Sequence, residues 1–356
     1  MPKCEVFGVS ENVNYKFINK FVLVLAFAII LLFVSICYIV FSFSNECATA
    51  LVNETGKDNL VILAAGKDNV SGLTDVLLLV NVNLAQGNVN IVQIPRDTFL
   101  NFSDGTKCKI NSASHILGGV DSLAAVLENA WKIDIDHTVE FTLETFSRFI
   151  DLIGGVEINV PCDMDYDDPQ QGLSIHLKAG TQLLYGREAV QFVRYRSGYI
   201  QGDIARIDAQ KIFIAALANK LKNGLSPYKI PAIAGALIGE INTDMSLKMC
   251  MYLADFALNV DMLNITMTTL PGEATRTKVN SGAWYYVINK KAAFDIINKY
   301  FNIFSTSYDD FDSNRVFSSS LYAHFEKIYC SDQYTVTEYT ADDILKNGID
   351  IDLTLK

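Results

Sequence analysis

Residues 21–43, FVLVLAFAIILLFVSICYIVFSF, form an uncharged apolar run interrupted only by Ser35 and Ser42. A helix of that length spans roughly 30 Å, the thickness of a hydrocarbon core. A cleaved signal peptide has a shorter apolar region followed by a small-residue cleavage site. SNECATA (44–50) is the nearest approach to such a site, and the run is expected as an uncleaved anchor. Lys3, Lys16 and Lys20 precede it, and Lys57 is the first basic residue beyond it. Basic-residue asymmetry therefore predicts residues 1–20 inside, a transmembrane helix over 21–43, and the remainder outside the cell membrane, held by a single pass.

The net charge is −11, which argues against nucleic acid as a partner and makes any local cluster of arginines informative. Of seven cysteines, Cys47, Cys108, Cys162, Cys250 and Cys330 fall beyond the span. They lack CxxC spacing, which excludes a zinc site and leaves room for one disulfide that spacing does not identify.

After a linker (44–58), three strand-like runs follow: 59–65, 75–82 and 88–94. NLAQGN between the last two has the composition of a hairpin turn. A hairpin centred between Ala85 and Gln86 sets Asp75 opposite Arg96. Helical spacing appears in 117–131 and in 142–155, which ends on a Gly pair suited to a helix C-terminus. A short strand over 156–161 leads to an acidic loop, CDMDYDDP (162–169). An amphipathic helix is expected over 204–222, a helix over 246–260, a strand over 264–271 and a last helix over 291–302. This alternation predicts an α/β fold, an α-β-α sandwich on a central mixed sheet across 59–302. Residues 303–356 change composition and are expected as an appendage.

There is no GxxxxGK[ST] loop, GxSxG elbow or HExxH motif, and His115, His137, His176 and His324 lack metal-ligand spacing. The informative stretch is QFVRYRSGYIQGDIARIDAQ (191–210). If 194–196 is an extended strand, Arg194 and Arg196 share a face. Gly202-Asp203 resembles a helix start with Asp203 as N-cap, and Asp203, Arg206 and Gln210 then lie on one helix side. Converging guanidinium groups require an anion among them, supplied by protein carboxylates or by a phosphorylated ligand. IPRD (94–97) brings Arg96 and Asp97 to the strand end, beside Asp75 and near Asp68. Asp75 and Asp68 suit a hard cation such as Mg²⁺, or serve simply in Asp–Arg pairs. Lys109 and Asn111, in KIN, add a cation and an amide.

These blocks, DVLLLVNVN…VQIPRDTF, KINSA and GREAVQFVRYRSGYIQGDIARIDAQ, resemble the LytR–CpsA–Psr family of Gram-positive bacteria over about residues 59–302. The resemblance implies an extracytoplasmic, Mg²⁺-dependent phosphotransferase. Such an enzyme moves a glycopolymer (teichoic acid, capsular polysaccharide or another wall polymer) from an undecaprenyl-pyrophosphate carrier to peptidoglycan through a phosphodiester. A polyprenyl-pyrophosphatase side activity accompanies that expectation.

By the same resemblance, Arg96, Arg194, Arg196 and Arg206 form a pyrophosphate clamp with Lys109 and Gln210 beside them. Asp75 and Asp68 hold the metal, Asp203 and Asn111 support the clamp, and Asp97 is either a base or a salt-bridge partner. An apolar tunnel for the lipid draws on segments such as 212–218. The chain departs from the family pattern between the two aspartates, where the stretch is short and Leu73 replaces a common arginine. That departure leaves a second reading open, a non-catalytic surface protein that binds or regulates lipid-linked wall polymers.

Overall fold

A computed structural model describes residues 57–353, apart from 68–71, 169–172, 226–232, 234–235, 238, 247–248, 251–252, 254–255, 257, 278–281, 302–305 and 320–321. The anchor expected over 21–43 lies outside the described residues; among those described, no helix is long and apolar enough to cross a membrane.

The three apolar runs become β1 (Asn59–Lys67), β2 (Thr74–Asn83) and β3 (Asn88–Ile94). They form an antiparallel meander whose register pairs Asn83 with Asn88 and Leu77 with Ile94. That register is the one expected from the turn, and extending it sets Asp75 against Arg96. Both faces of these strands are covered, so they are apolar throughout rather than alternating. Along β1, Leu60, Ile62 and Ala64 enter one core while Val61, Leu63 and Ala65 enter the other.

Next come a small hairpin, β4 (Phe99–Asn101) with β5 (Lys107–Lys109), and helices α1 (Ile110–Leu117) and α2 (Val120–Trp131). Strand β6 (His137–Thr142) pairs parallel with β1 and ends at Thr142, whose hydroxyl accepts from the Thr145 amide and starts α3 (Leu143–Leu152). Strand β7 (Val156–Val160) is followed by β8 (Met164–Asp168), so the expected acidic loop is instead a strand paired with β9 (Leu173–Leu177). Met164 points into the core while Asp165 and Asp167 line the outside. Strand β10 (Gly180–Leu184) returns to pair with β7.

Helices α4 (Gly186–Arg194) and α5 (Asp203–Gly224) follow. The expected strand around 194–196 is thus corrected: Ala189, Phe192 and Val193 repeat at helical spacing and bury one face of α4. Only Tyr195 beyond its end is extended (φ −64°, ψ 138°). Helix α5 is not amphipathic. It is buried on nearly every side, from Ala205 to Leu221, because sheet, α4 and the C-terminal segment all pack on it.

The sheet is completed by β11 (Asn242–Thr243) and β12 (Ile265–Thr269), the latter parallel to β3. A second hairpin, β13 (Gly272–Arg276) with β14 (Trp284–Ile288), precedes α6 (Lys290–Phe301). The segment expected as an appendage is folded into the same body. It supplies α7 (Ala323–Tyr329), an edge strand β15 (Glu338–Thr340) antiparallel to β12, and α8 (Ala341–Asn347), which packs on α5.

The result is the expected sandwich. A seven-stranded mixed sheet, ordered β11-β6-β1-β2-β3-β12-β15, lies between α3, α4, α5 and α8 on one face and α1, α2, α6 and α7 on the other. Strands β1, β3, β6 and β12 all point one way, so their carboxyl ends share one edge, the usual place for ligands in such sheets. Cys108, Cys162, Cys250 and Cys330 are free thiols.

Candidate active site

At that shared edge, β3 ends at Ile94 and Pro95 halts the ladder by withholding an amide. The chain turns sharply, the Thr98 amide and hydroxyl both donating to the Pro95 carbonyl (3.0 and 2.6 Å). The Asn111 amide donates to the Arg96 carbonyl (3.1 Å) and the Tyr286 amide to the Asp97 carbonyl (2.8 Å), so the turn is tied to α1 and β14.

Arg96 is thereby driven into the protein. Its Nη1 lies 2.9 Å from Asp75 Oδ1 and its Nη2 3.4 Å from Asp203 Oδ1. Asp203 also receives Arg206, at 2.6 Å. Asp97 pairs with Lys109 at 2.7 Å, which is the salt-bridge alternative for this residue. Arg196, just past α4, stands close enough for its charge to be felt by Asp203 and for Arg96 to be felt by it.

Burial and charge decide the character of this group. Burial pushes Asp75 up, to about 7, and Arg96 and Arg206 only partly offset it. Burial would raise Asp203 as well, but Arg206, Arg96, Arg196 and Lys109 together hold it below the usual carboxylate range. Burial pulls Arg206 down to about 9, with Arg96 and Arg196 opposing its charge further. Burial and then Arg96 lower Arg196 too. For Arg96, the carboxylates of Asp203, Asp75 and Asp97 outweigh burial and keep it charged. Among the described residues, Arg96, Arg196, Arg206 and Lys109 thus converge on Asp75, Asp97 and Asp203, and burial pushes Asp75 up to about 7.

Among the described residues, the buried donors Arg206 Nε and Asn111 Nδ2 have no hydrogen-bond partner. Buried donors are ordinarily satisfied, so both mark where an acceptor fits. Arg194 ends α4 and is half-buried. Gln210 sits two turns along α5 from Asp203 and hydrogen-bonds Gln93 and the Val193 carbonyl (3.3 Å), bracing α5 against β3 and α4 rather than joining the charges. Asp203 is the first helical residue of α5, not its cap: Gly202 takes the cap position (φ 52°, ψ −107°), which frees the Asp203 carboxylate for the arginines. Asp68 lies outside the described residues. Gln93 was missed from sequence; its signal was an amide side chain in the otherwise apolar end of NVNIVQI.

Asp75 provides a test of fit for a divalent cation. Its oxygens are of the right type, and a buried carboxylate undercompensated by its arginine regains its charge beside a hard cation.

A model of the LytR_cpsA_psr family matches residues 42–302. The polyisoprenyl-teichoic acid–peptidoglycan teichoic acid transferase TagV of Bacillus subtilis is 31% identical over 178 residues, 49% of this chain and 45% of that protein. The corresponding transferase TagU of the same organism is 29% identical over 245 residues, 67% of this chain and 76% of that protein. The crystal structure of B. subtilis TagV shares the fold, with a TM-score of 0.59 and 24% identity over 69% of this chain and 98% of that one.

Proposed function

This chain belongs to the LytR_cpsA_psr family, and from that membership together with its arginine cluster we propose a Mg²⁺-dependent phosphotransferase. In this reading it moves a glycopolymer from an undecaprenyl-pyrophosphate carrier onto peptidoglycan, outside a membrane in which residues 21–43 anchor it. The observation that carries the reading is the convergence of Arg96, Arg196 and Arg206 around Asp203, with Arg206 Nε and Asn111 Nδ2 buried and lacking an acceptor among the described residues. A pyrophosphate offers negative charge and acceptor oxygens to such a cluster, and forked guanidinium donors match it. Asp75, with Asp68, would hold Mg²⁺, which supplies charge neutralisation on bridging phosphate oxygens.

In the reaction, an acceptor glycan hydroxyl forms a new bond to the phosphorus attached to the polymer. The bridging P–O bond breaks, undecaprenyl phosphate leaves with the electron pair, and the hydroxyl proton passes to water. Arg96, Arg196 and Arg206 offset charge on the transferring phosphoryl and the leaving oxygen, the main contribution a protein makes to this step. Lys109 holds Asp97 in an ion pair.

The test is phosphate release from a short polyprenyl pyrophosphate by the full-length protein, with and without Mg²⁺. Arg196→Ala should lower turnover on the order of 10²–10³ while the fold persists. A folded, fully active Arg196→Ala protein would refute the assignment. Tight binding without any release would favour a carrier-binding protein over an enzyme.

A further inference from the structure

The family module ends at residue 302, yet the last described residues of the chain reach back to the loop that carries Arg196. Residues 195–202 join α4 to α5 and so set Arg196 relative to Asp203 and Arg206. The loop is tightly turned: the Tyr199 amide donates to the Arg196 carbonyl (3.0 Å) and the Gly202 amide to the Tyr199 carbonyl (3.2 Å). The rings of Tyr195 and Tyr199 meet edge to face at 5.3 Å, and Gly198 passes so close to the Tyr195 hydroxyl that a Cβ would lie 2.4 Å from it.

The outer side of this loop is closed by the C-terminal tail. The Ile200 amide donates to the Asp352 carbonyl (3.0 Å), Gln201 Nε2 donates to Asp352 Oδ2 (3.0 Å), and Tyr199 forms an antiparallel bridge with Leu353. The tail is fixed in turn by Ile349 and Ile351, buried in the same core as Tyr199, and by α8 on α5. Ile200 itself is 62% exposed, so its side chain does little to hold the loop; the hydrogen bonds from the tail do.

We propose that Asp352 and Leu353 are positioning residues for the arginine cluster, a brace outside the family module that holds the 195–202 loop and, through it, Arg196. The functional part of this inference rests on the phosphotransfer reading; the mechanical part does not. Positioning errors of about 1 Å at a charged clamp cost up to on the order of 10²-fold in rate. Deleting the tail should therefore reach the chemistry without touching it.

The experiment compares the full-length protein with a chain ending at Ile351, which retains both buried isoleucines, and with Asp352→Ala and Asp352→Asn. Hydrogen exchange at the Ile200 amide and phosphate release from a short polyprenyl pyrophosphate with Mg²⁺ are both measured. The truncated chain should exchange Ile200 at least about tenfold faster and lose roughly 10- to 100-fold in kcat/KM, with an unchanged melting temperature. Asp352→Ala should show a smaller loss of the same kind. Asp352→Asn, whose amide oxygen still accepts from Gln201, should restore full turnover. Unchanged Ile200 protection in the truncated chain, or unchanged kcat/KM despite lost protection, overturns the brace. A full-length protein that releases no phosphate refutes the phosphotransfer reading instead, and the brace is then decided by Ile200 exchange alone.

Discussion

Arg96 and Asp75 meet across the β2–β3 hairpin at 2.9 Å, both side chains under 5% exposed, at the point where the strand register extended past Leu77 and Ile94 brings them together. The pair is not a simple ion pair. Burial pushes the Asp75 carboxyl up to about 7, and Arg96, which is also shared with Asp203, offsets that only in part.

A neutral isostere at position 75 should consequently be tolerated by the fold. With burial pushing Asp75 up to about 7, its carboxyl is already partly protonated near neutrality, so an asparagine that keeps its shape and still accepts from Arg96 gives up little further charge pairing. Asp75→Asn is expected to unfold within about 1 kcal/mol of the parent in urea, yet to lose on the order of 10²–10³ in turnover and its response to Mg²⁺. A loss of several kcal/mol with activity retained would make Asp75 a structural residue only.

Arg206 should behave in the opposite way. It is 1% exposed and pairs with Asp203 at 2.6 Å, so Arg206→Ala empties a buried position and leaves Asp203 only the longer contact with Arg96 at 3.4 Å. Breaking such a pair typically costs about 3–5 kcal/mol. Urea denaturation should show Arg206→Ala markedly less stable than Arg196→Ala, whose side chain is only half-buried.

Helix α4 begins at Gly186, where an added Cβ would lie 2.1 Å from the Ser147 carbonyl of α3. Gly186→Ala must push the two helices apart, at a cost of about 1–3 kcal/mol for overpacking. Thermal melting should report that loss even though alanine is the better helix former.

Asp312 gives a pH signature separate from the site. It is fully buried, accepts from the Val316 and Phe317 amides and the Tyr329 hydroxyl, and burial pushes it from 3.8 to about 6 against those hydrogen bonds. Between those values the folded chain binds the proton more tightly than the unfolded chain, so its contribution to stability is greatest at the acid end and is lost as pH rises through about 6. At about 1.4 kcal/mol per unit, the contribution is on the order of 2–3 kcal/mol. Urea midpoints taken from pH 4 to pH 7 should fall less steeply in Asp312→Asn; an identical slope would mean that another group is responsible.

Much of the fold was legible because local patterns were strong. The uniform apolar runs of β1–β3 announced strands covered on both faces, and the turn between Asn83 and Asn88 set a register that survives in the structure. The carboxylate–arginine meeting of Asp75 with Arg96 followed from that register alone. Misreadings arose where two periodicities compete over a short stretch. The stretch around 194–196 was expected as strand because Arg194 and Arg196 alternate around Tyr195, while burial of Ala189, Phe192 and Val193 carries a helix through Arg194. The acidic 162–169 stretch was expected as loop from its charge, but only one side of a hairpin needs to be apolar, and Met164–Asp168 forms a strand.

By itself, then, the sequence determined the sandwich and the hairpin register, since hydrophobic period and turn chemistry are local properties. Only the tertiary structure decided that Arg96 is shared between Asp75 and Asp203, that Gln93 holds Gln210, and that the C-terminal tail closes on the arginine loop. Those contacts join residues as far apart in the chain as Tyr199 and Leu353. No periodicity encodes them; they exist because the sheet and α5 bring distant segments to one edge, where burial sets the charge balance.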